Sequence, residues 1–176
     1  MPELSFAGPG VRTLPPAARL VLRGALAVRT AAARALNISI PEQACRALDH
    51  AGGAALWLGP DERLLLLPRA EGLTAADTLE SALRGLPHAV VDVSQRQIAL
   101  AVSGAQAPAL LNAGCPLNLD LQLFPAGACT RTVFAKAEIV LWRRRSDEFH
   151  LEVWRSFAAY VAGYLSEAAR DLPGAA

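Results

Sequence analysis

The residues best able to do chemistry crowd into one short stretch, CTRTVFAKAEIVLW, from Cys129 to Trp142. A thiol, two hydroxyls, an arginine, a lysine and a glutamate stand within ten residues. On a strand, Cys129 and Arg131 share a face, and a nearby cation lowers a thiol pKa. No histidine is close in sequence to serve as a base, so a buried free cysteine is the stronger reading. Cys115, in the turn NAGCP, reads the same way. Lys136 and Glu138 stand two apart, which on a strand is one face. They fit a proton-transfer pair with shifted pKa values or a buried ion pair that fixes strand register. The second is favoured, because buried pairs are more often structural and breaking one costs about 3–5 kcal/mol. Asp92, in an apolar strand with Arg96 nearby, is a thinner acid candidate. Trp57, Trp142 and Trp154 lie in or at the end of strands and read as core or interface anchors.

Other chemistries lack their signatures. The glycines of Gly8-Pro9-Gly10 do not make a dinucleotide loop, Gly52-Gly53 precedes a strand and not a helix, and no P-loop occurs. Three cysteines, none in a CxxC pair, and three isolated histidines do not make a zinc site. With no leader-like start, the odd thiol count points to a reducing, cytoplasmic setting. A net charge of +1 gives no electrostatic case for nucleic acid. Arg143, Arg144 and Arg145 are answered at once by Asp147 and Glu148. No apolar run approaches the roughly 20 residues of a membrane span. Apolar residues make up 53% and charged residues 19%. That surplus is either alanine bias or a surface reserved for another subunit.

The elements that must position these residues follow from local pattern. Residues 1–18 are expected to form an irregular arm and 19–170 one compact domain. Arg19 to Leu26 reads as a strand, Thr30 to Leu36 as a short helix, and Cys45 to His50 as a helical turn started by Pro41. Ala54–Leu58 and Arg63–Pro68 make a hairpin around GPDE. Thr74 caps a helix with Asp77 three residues on, and Gly85 and Pro87 end it. Ala89–Val93 and Arg96–Val102 are expected to pair as a second hairpin across Ser94-Gln95. A helix from Gly104 to Asn112, capped by Ser103, leads into a loop to Gly127. Strands at 128–134, 137–143 and 148–154 form a meander. The last helix, 156–169, carries Phe157, Tyr160, Val161, Tyr164, Leu165 and Ala168 as one apolar stripe. The class is α+β, antiparallel hairpins and a C-terminal meander with helices packed on the sheets. Two helix-after-hairpin units, 54–86 and 89–112, hint at a pseudo-repeat.

Taken in order, WLGPDERLLLLP (57–68), VVDVSQRQIAL (90–100), LLNAGCPLNLDL (110–121), ACTRTVFAKAEIVLWR (128–143) and FHLEVWRSFAAYVAGYL (149–165) resemble the gamma subunit of heterotetrameric sarcosine oxidase. The likeness implies a fold similar to the folate-binding domain of aminomethyltransferases. It implies an accessory chain in a complex that oxidatively demethylates sarcosine to glycine, sending the one-carbon unit to tetrahydrofolate or formaldehyde. Alpha, beta and delta subunits would be its partners. FAD, FMN, NAD and zinc would sit in those subunits, with tetrahydrofolate as co-substrate. This chain would supply no catalytic, cofactor-binding or metal-binding residue. Arg96, Arg131, Lys136, Glu138 and Trp154 are then candidates for setting register and interface. The competing reading is a stand-alone folate-binding, aminomethyltransferase-like protein.

Overall fold

The computed structural model describes residues 10–172. In chain order the strands and helices are β1 Val11–Thr13, β2 Ala17–Gly24, α1 Leu26–Leu36, β3 Ala47–His50, β4 Gly53–Gly59, β5 Glu62–Pro68, α2 Gly72–Ala82, β6 His88–Asp92, β7 Gln97–Ser103, α3 Ala107–Asn112, β8 Cys129–Phe134, β9 Ala137–Arg145, β10 Glu148–Trp154 and α4 Ala158–Arg170. Short 3-10 turns precede α2 and α4. The fold is α+β and its strand pairings are antiparallel. The chain divides into two compact units, one of residues 16–95 and one of the N-terminal segment to Pro15 together with 96–176.

In the 16–95 unit the strand order is β3-β4-β5-β2-β6. Leu20 and Leu22 of β2 and Leu65 and Leu67 of β5 alternate onto one face. There they meet Val28 and Ala32 of α1 and Ala75 and Leu79 of α2. Each fully buried leucine removes enough apolar surface to stabilise the fold by about 1.5–3 kcal/mol. The opposite-facing Leu64 and Leu66 are buried as well, which is why β5 is apolar at every position from 64 to 67. Helix α2 reaches the sheet closely because Gly72 lies against Ala18, where a Cβ would approach to 2.6 Å. Helix α1 stops at Asn37, whose left-handed backbone turns its N–H back to the carbonyls of Ala33 and Arg34.

The other unit has the order β1-β7-β10-β9-β8. Its core packs Leu100, Val102, Ile139, Leu141, Phe149 and Leu151 of the sheet against Leu110 and Leu111 of α3 and Val161 and Leu165 of α4. The two units share one plan: strand, helix, three-strand meander, helix, with the first strand beside the third meander strand.

Several local expectations are corrected. The 89–102 segment is not a hairpin: β6 pairs with β2, and β7 pairs with β10 and β1. Ser94-Gln95 therefore connects the two units, and the repeats do not run 54–86 and 89–112. Cys45–His50 is no helical turn. Cys45 is left-handed, and Ala47 starts β3, which pairs with β4 from Ala47↔Leu56 onward. Thr74 lies inside α2, which starts at Gly72, and its carbonyl accepts from the Thr78 hydroxyl at 2.7 Å. Ser103 ends β7, and α3 begins only at Ala107. Of the arm at 1–18, residues 1–9 lie outside the described ones, Val11–Thr13 is strand, and Ala17 opens β2. No helix among the described residues is long and apolar enough to cross a membrane.

Candidate partner-docking surface

The stretch that raised the chemical question is the β8–β9 hairpin. Its register sets Cys129, Arg131 and Val133 opposite Trp142, Val140 and Glu138. These six share a face. Ile139 and Leu141 stand opposite Thr132 and Thr130 on the core face. Cys129 and Cys115 are buried and take part in no disulfide. Lys136 sits in the turn after left-handed Ala135, and both Lys136 and Glu138 are exposed. No ion pair joins them among the described residues, so the buried pair expected there does not form. A buried pair occurs instead on β10, where His150 Nε2 lies 2.7 Å from Glu152 Oε1 and the Glu152 side chain has no exposure. The acid's burial suits register-keeping better than exchange with a substrate. Asp92 is exposed and accepts from the Ser94 N–H at 2.8 Å, so its carboxylate shapes a turn.

Arg63 and Arg143, like Arg19, are buried, which the sequence does not signal because strand arginines ordinarily point to water. Arg143, 3% exposed, donates to the carbonyls of Leu119 at 2.9 Å, Phe124 at 2.7 Å and Ser146 at 2.6 Å. Its guanidinium also lies 4.7 Å from the Phe149 ring centroid. Burial pulls its pKa below the ordinary value, although the charges of Asp120 and Asp147 act the other way. Arg63, 1% exposed, donates to Pro41 at 2.6 Å and to Gly59 at 2.6 Å. Each pins a loop to a strand by its forked donors. Beside Arg63, Glu42 is paired with Arg29 at 2.7 Å. The hydrogen bond from Arg29 is the largest cause holding the Glu42 carboxyl below its usual pKa.

The distinctive surface lies elsewhere, where β10 runs into α4. Antiparallel pairing sets Trp154 opposite Gln97. That brings the Arg96 guanidinium to 5.4 Å from the Trp154 ring centroid, a cation–π contact. The Arg155 N–H donates to the Arg96 carbonyl at 2.8 Å and pins the junction. Of the five sequence candidates, the structure thus brings Arg96 and Trp154 together; Arg131, Lys136 and Glu138 are exposed positions on the largely buried β8–β9 hairpin. The stripe expected on the last helix splits. Val161 and Leu165 are buried, but Phe157, Tyr160 and Tyr164 remain 40%, 39% and 36% exposed. Spaced at i, i+3 and i+7, they continue from Trp154, which is 42% exposed. Tyr160 and Tyr164 lie 6.3 Å apart by ring centroids. Tyr164 is anchored by its hydroxyl on the Ala113 carbonyl at 3.0 Å and by an edge contact with Phe134 at 5.2 Å. An anchored row of aromatic side chains beside an arginine has the composition of protein-interface hot spots.

A family model described as sarcosine oxidase, gamma subunit family, matches residues 23–171. The chain belongs to the sarcosine oxidase gamma subunit family. The gamma subunit of sarcosine oxidase from an Arthrobacter species is 33% identical over 168 residues, covering 94% of this chain and 77% of that one. Among solved structures, heterotetrameric sarcosine oxidase from Corynebacterium sp. U-96, in complex with pyrrole 2-carboxylate, contains a similar chain. The TM-score is 0.85 at 28% identity, with 96% of this chain and 88% of that chain covered. The glycine cleavage system aminomethyltransferase T from Bartonella henselae matches with a TM-score of 0.65 at 20% identity, covering 96% of this chain and 50% of that one. That last likeness is one of fold.

Proposed function

We propose that this chain is the accessory gamma subunit of a cytoplasmic heterotetrameric sarcosine oxidase, with alpha, beta and delta subunits as partners. The complex would oxidise sarcosine to glycine and pass the one-carbon unit to tetrahydrofolate or release it as formaldehyde. FAD, FMN, NAD and zinc would reside in the other subunits. The observation that carries this reading is the likeness to a chain of the Corynebacterium heterotetramer, which extends over nearly the whole of both chains. The chemistry of the described residues is consistent with an accessory role. The thiols at 115 and 129 are buried, the acid of the His150–Glu152 pair is sealed off, and Asp92 is engaged in a turn. The stand-alone aminomethyltransferase reading gives way, because the relatives at 33% identity are oxidase subunits and the aminomethyltransferase likeness covers half of that enzyme.

The test is co-expression of the four subunits with an affinity tag on this chain, followed by sarcosine oxidation with and without it. Stoichiometric recovery of the other subunits, and a loss of complex yield when the chain is omitted, are expected. Full yield and full oxidation without the chain would rule out a required assembly role.

A further inference from the structure

We infer that a cavity at one end of the 16–95 unit is a binding site for a small protonated amine with a short apolar tail. Such a site needs no other subunit, so it stands or falls apart from the accessory role.

The cavity measures about 190 Å³ and lies where the end of α1, the end of β3, β5 and the start of α2 meet. That exceeds the roughly 150 Å³ that holds a ligand of benzene size. Leu36, Ile38, Leu67 and Ala75 give it apolar walls. Asn37, His50 and Glu71 are the polar residues of the lining. The combination of apolar walls with a few polar groups is that of a small-molecule site. The His50 ring packs tightly on the neighbouring strand. A Cβ at Gly53 would come within 2.8 Å of its Cε1, so glycine at that position leaves the imidazole its room.

The chemistry of the lining selects the ligand. His50 Nδ1 lies 3.3 Å from the Ala51 carbonyl oxygen. A carbonyl can only accept, so in the neutral ring the hydrogen sits on Nδ1 and Nε2 is left as an acceptor. That Nε2 is buried and has no hydrogen-bond partner. Native structures rarely leave a buried acceptor unpaired, because its desolvation is then uncompensated. A donor held in the cavity that the ring lines would supply the missing bond. Glu71 is the one carboxylate of the lining, and no arginine or lysine lines the cavity. Its side chain is exposed and makes no ion pair among the described residues. A protonated primary amine brings three N–H donors and a positive charge, so it can donate to Nε2 while Glu71 attracts it. An anion would be repelled by Glu71. A neutral alcohol has a single donor and leaves the carboxylate charge unanswered.

The test titrates the full chain with isopentylammonium, isopentanol and isovalerate and follows methyl and amide NMR shifts. Wild type should bind isopentylammonium saturably, with a Kd on the order of 1 mM for a ligand of about six heavy atoms. The shifts should centre on Leu36, Ile38 and Leu67. Isopentanol should bind at least about tenfold more weakly, and isovalerate should not saturate. Glu71→Gln, a change at an exposed side chain, keeps the fold and should weaken the amine about three- to fivefold. His50→Leu removes the acceptor and should weaken it at least about tenfold. Ala75→Leu fills the cavity from α2 and should abolish binding. Leu73→Ala, at a site 79% exposed and outside the lining, should bind as wild type. Circular dichroism confirms that each variant is folded. No saturable binding of isopentylammonium to the folded wild type would overturn the site and leave the cavity to water. Equal affinity for amine and alcohol, or amine binding unchanged by both Glu71→Gln and Ala75→Leu, would overturn it likewise. None of these results bears on recovery of the other subunits, which tests the accessory role.

Discussion

Replacing Arg143 by Met should be among the most damaging single changes in this chain, although the side chain touches no candidate partner surface. The guanidinium donates to two buried carbonyls, of Leu119 and Phe124, and to the more exposed carbonyl of Ser146. A hydrogen bond to a charged donor contributes about 1.5–3 kcal/mol, and losing it here strands a buried acceptor. Two such carbonyls give a gross loss of about 3–6 kcal/mol. Met returns part of that, because the cost of holding a desolvated cation disappears; burial already lowers the Arg143 pKa. The net expectation is about 3 kcal/mol, a large share of the roughly 5–15 kcal/mol that holds a domain folded. At a urea slope of about 2 kcal/mol/M the midpoint should fall by roughly 1.5 M. Arg143→Lys keeps the charge but gives up the Nε and Nη2 bonds to Ser146 and, being shorter, reaches the Leu119 and Phe124 carbonyls that Nη1 serves only by moving, so it should recover only part of the loss. Hydrogen exchange should show the loop around 117–126 opening before the sheet does, since Arg143 ties that loop to β9. A loss under about 1 kcal/mol for Met, or full rescue by Lys, would refute the forked-donor account.

Three further outcomes follow from the geometry. Gly53→Ala should destabilise by about 2 kcal/mol in urea melts, because its Cβ would run into the Leu66 carbonyl oxygen, which cannot rotate away. Gly163→Ala, in the middle of α4 with nothing near the added methyl, should instead stabilise by about 0.5–1 kcal/mol. Glu42→Gln tests the pair with Arg29. The folded pKa of Glu42 is lowered, so its contribution is present above the unfolded carboxyl pKa of about 4.3 and is lost as pH falls through the folded value. With Glu42 half exposed, the variant should lose at most about 1 kcal/mol at pH 7 and match wild type once both are uncharged near pH 2. An equal deficit at both pH values would show that the carboxylate charge is not involved.

Much of this fold is legible where strong local signals agree with distant packing. Gly59-Pro60-Asp61-Glu62 closes the β4–β5 hairpin as its turn residues demand, with Gly59 opposite Glu62. The 128–154 meander and the final helix stand within a few residues of where alternation and the 3.6-residue period place them. Illegible features depend on partners far along the chain. The Arg96–Trp154 stack exists because β7 and β10 are neighbours with Gln97 opposite Trp154. The burial of Arg143 depends on a loop whose carbonyls turn inward. The apolar period of the last helix marks Tyr160 and Tyr164 as equal to Val161 and Leu165. In the fold Val161 and Leu165 are buried, whereas the two tyrosines stay more than a third exposed.

The mistaken 89–102 hairpin shows the same competition at the level of strands. A two-residue connection between two apolar runs is a sound hairpin signal, yet each run has a better partner. Strand β7 is buried at all positions from Gln97 to Val102, so it must be flanked on both edges and packed on both faces. β6 has three of its five residues exposed and belongs at an edge. Strand β1, just before β2, lies on the edge beside β7, and β6, just before β7, lies on the edge beside β2. Each unit thus takes its fifth strand from the segment that leads into the other unit's first strand. The entropy of closing the longer loops argues little against this, since doubling a loop costs only about 0.6 kcal/mol. Local pattern can identify such strands, but their pairing is set by which edge remains open once the buried strands have found their neighbours.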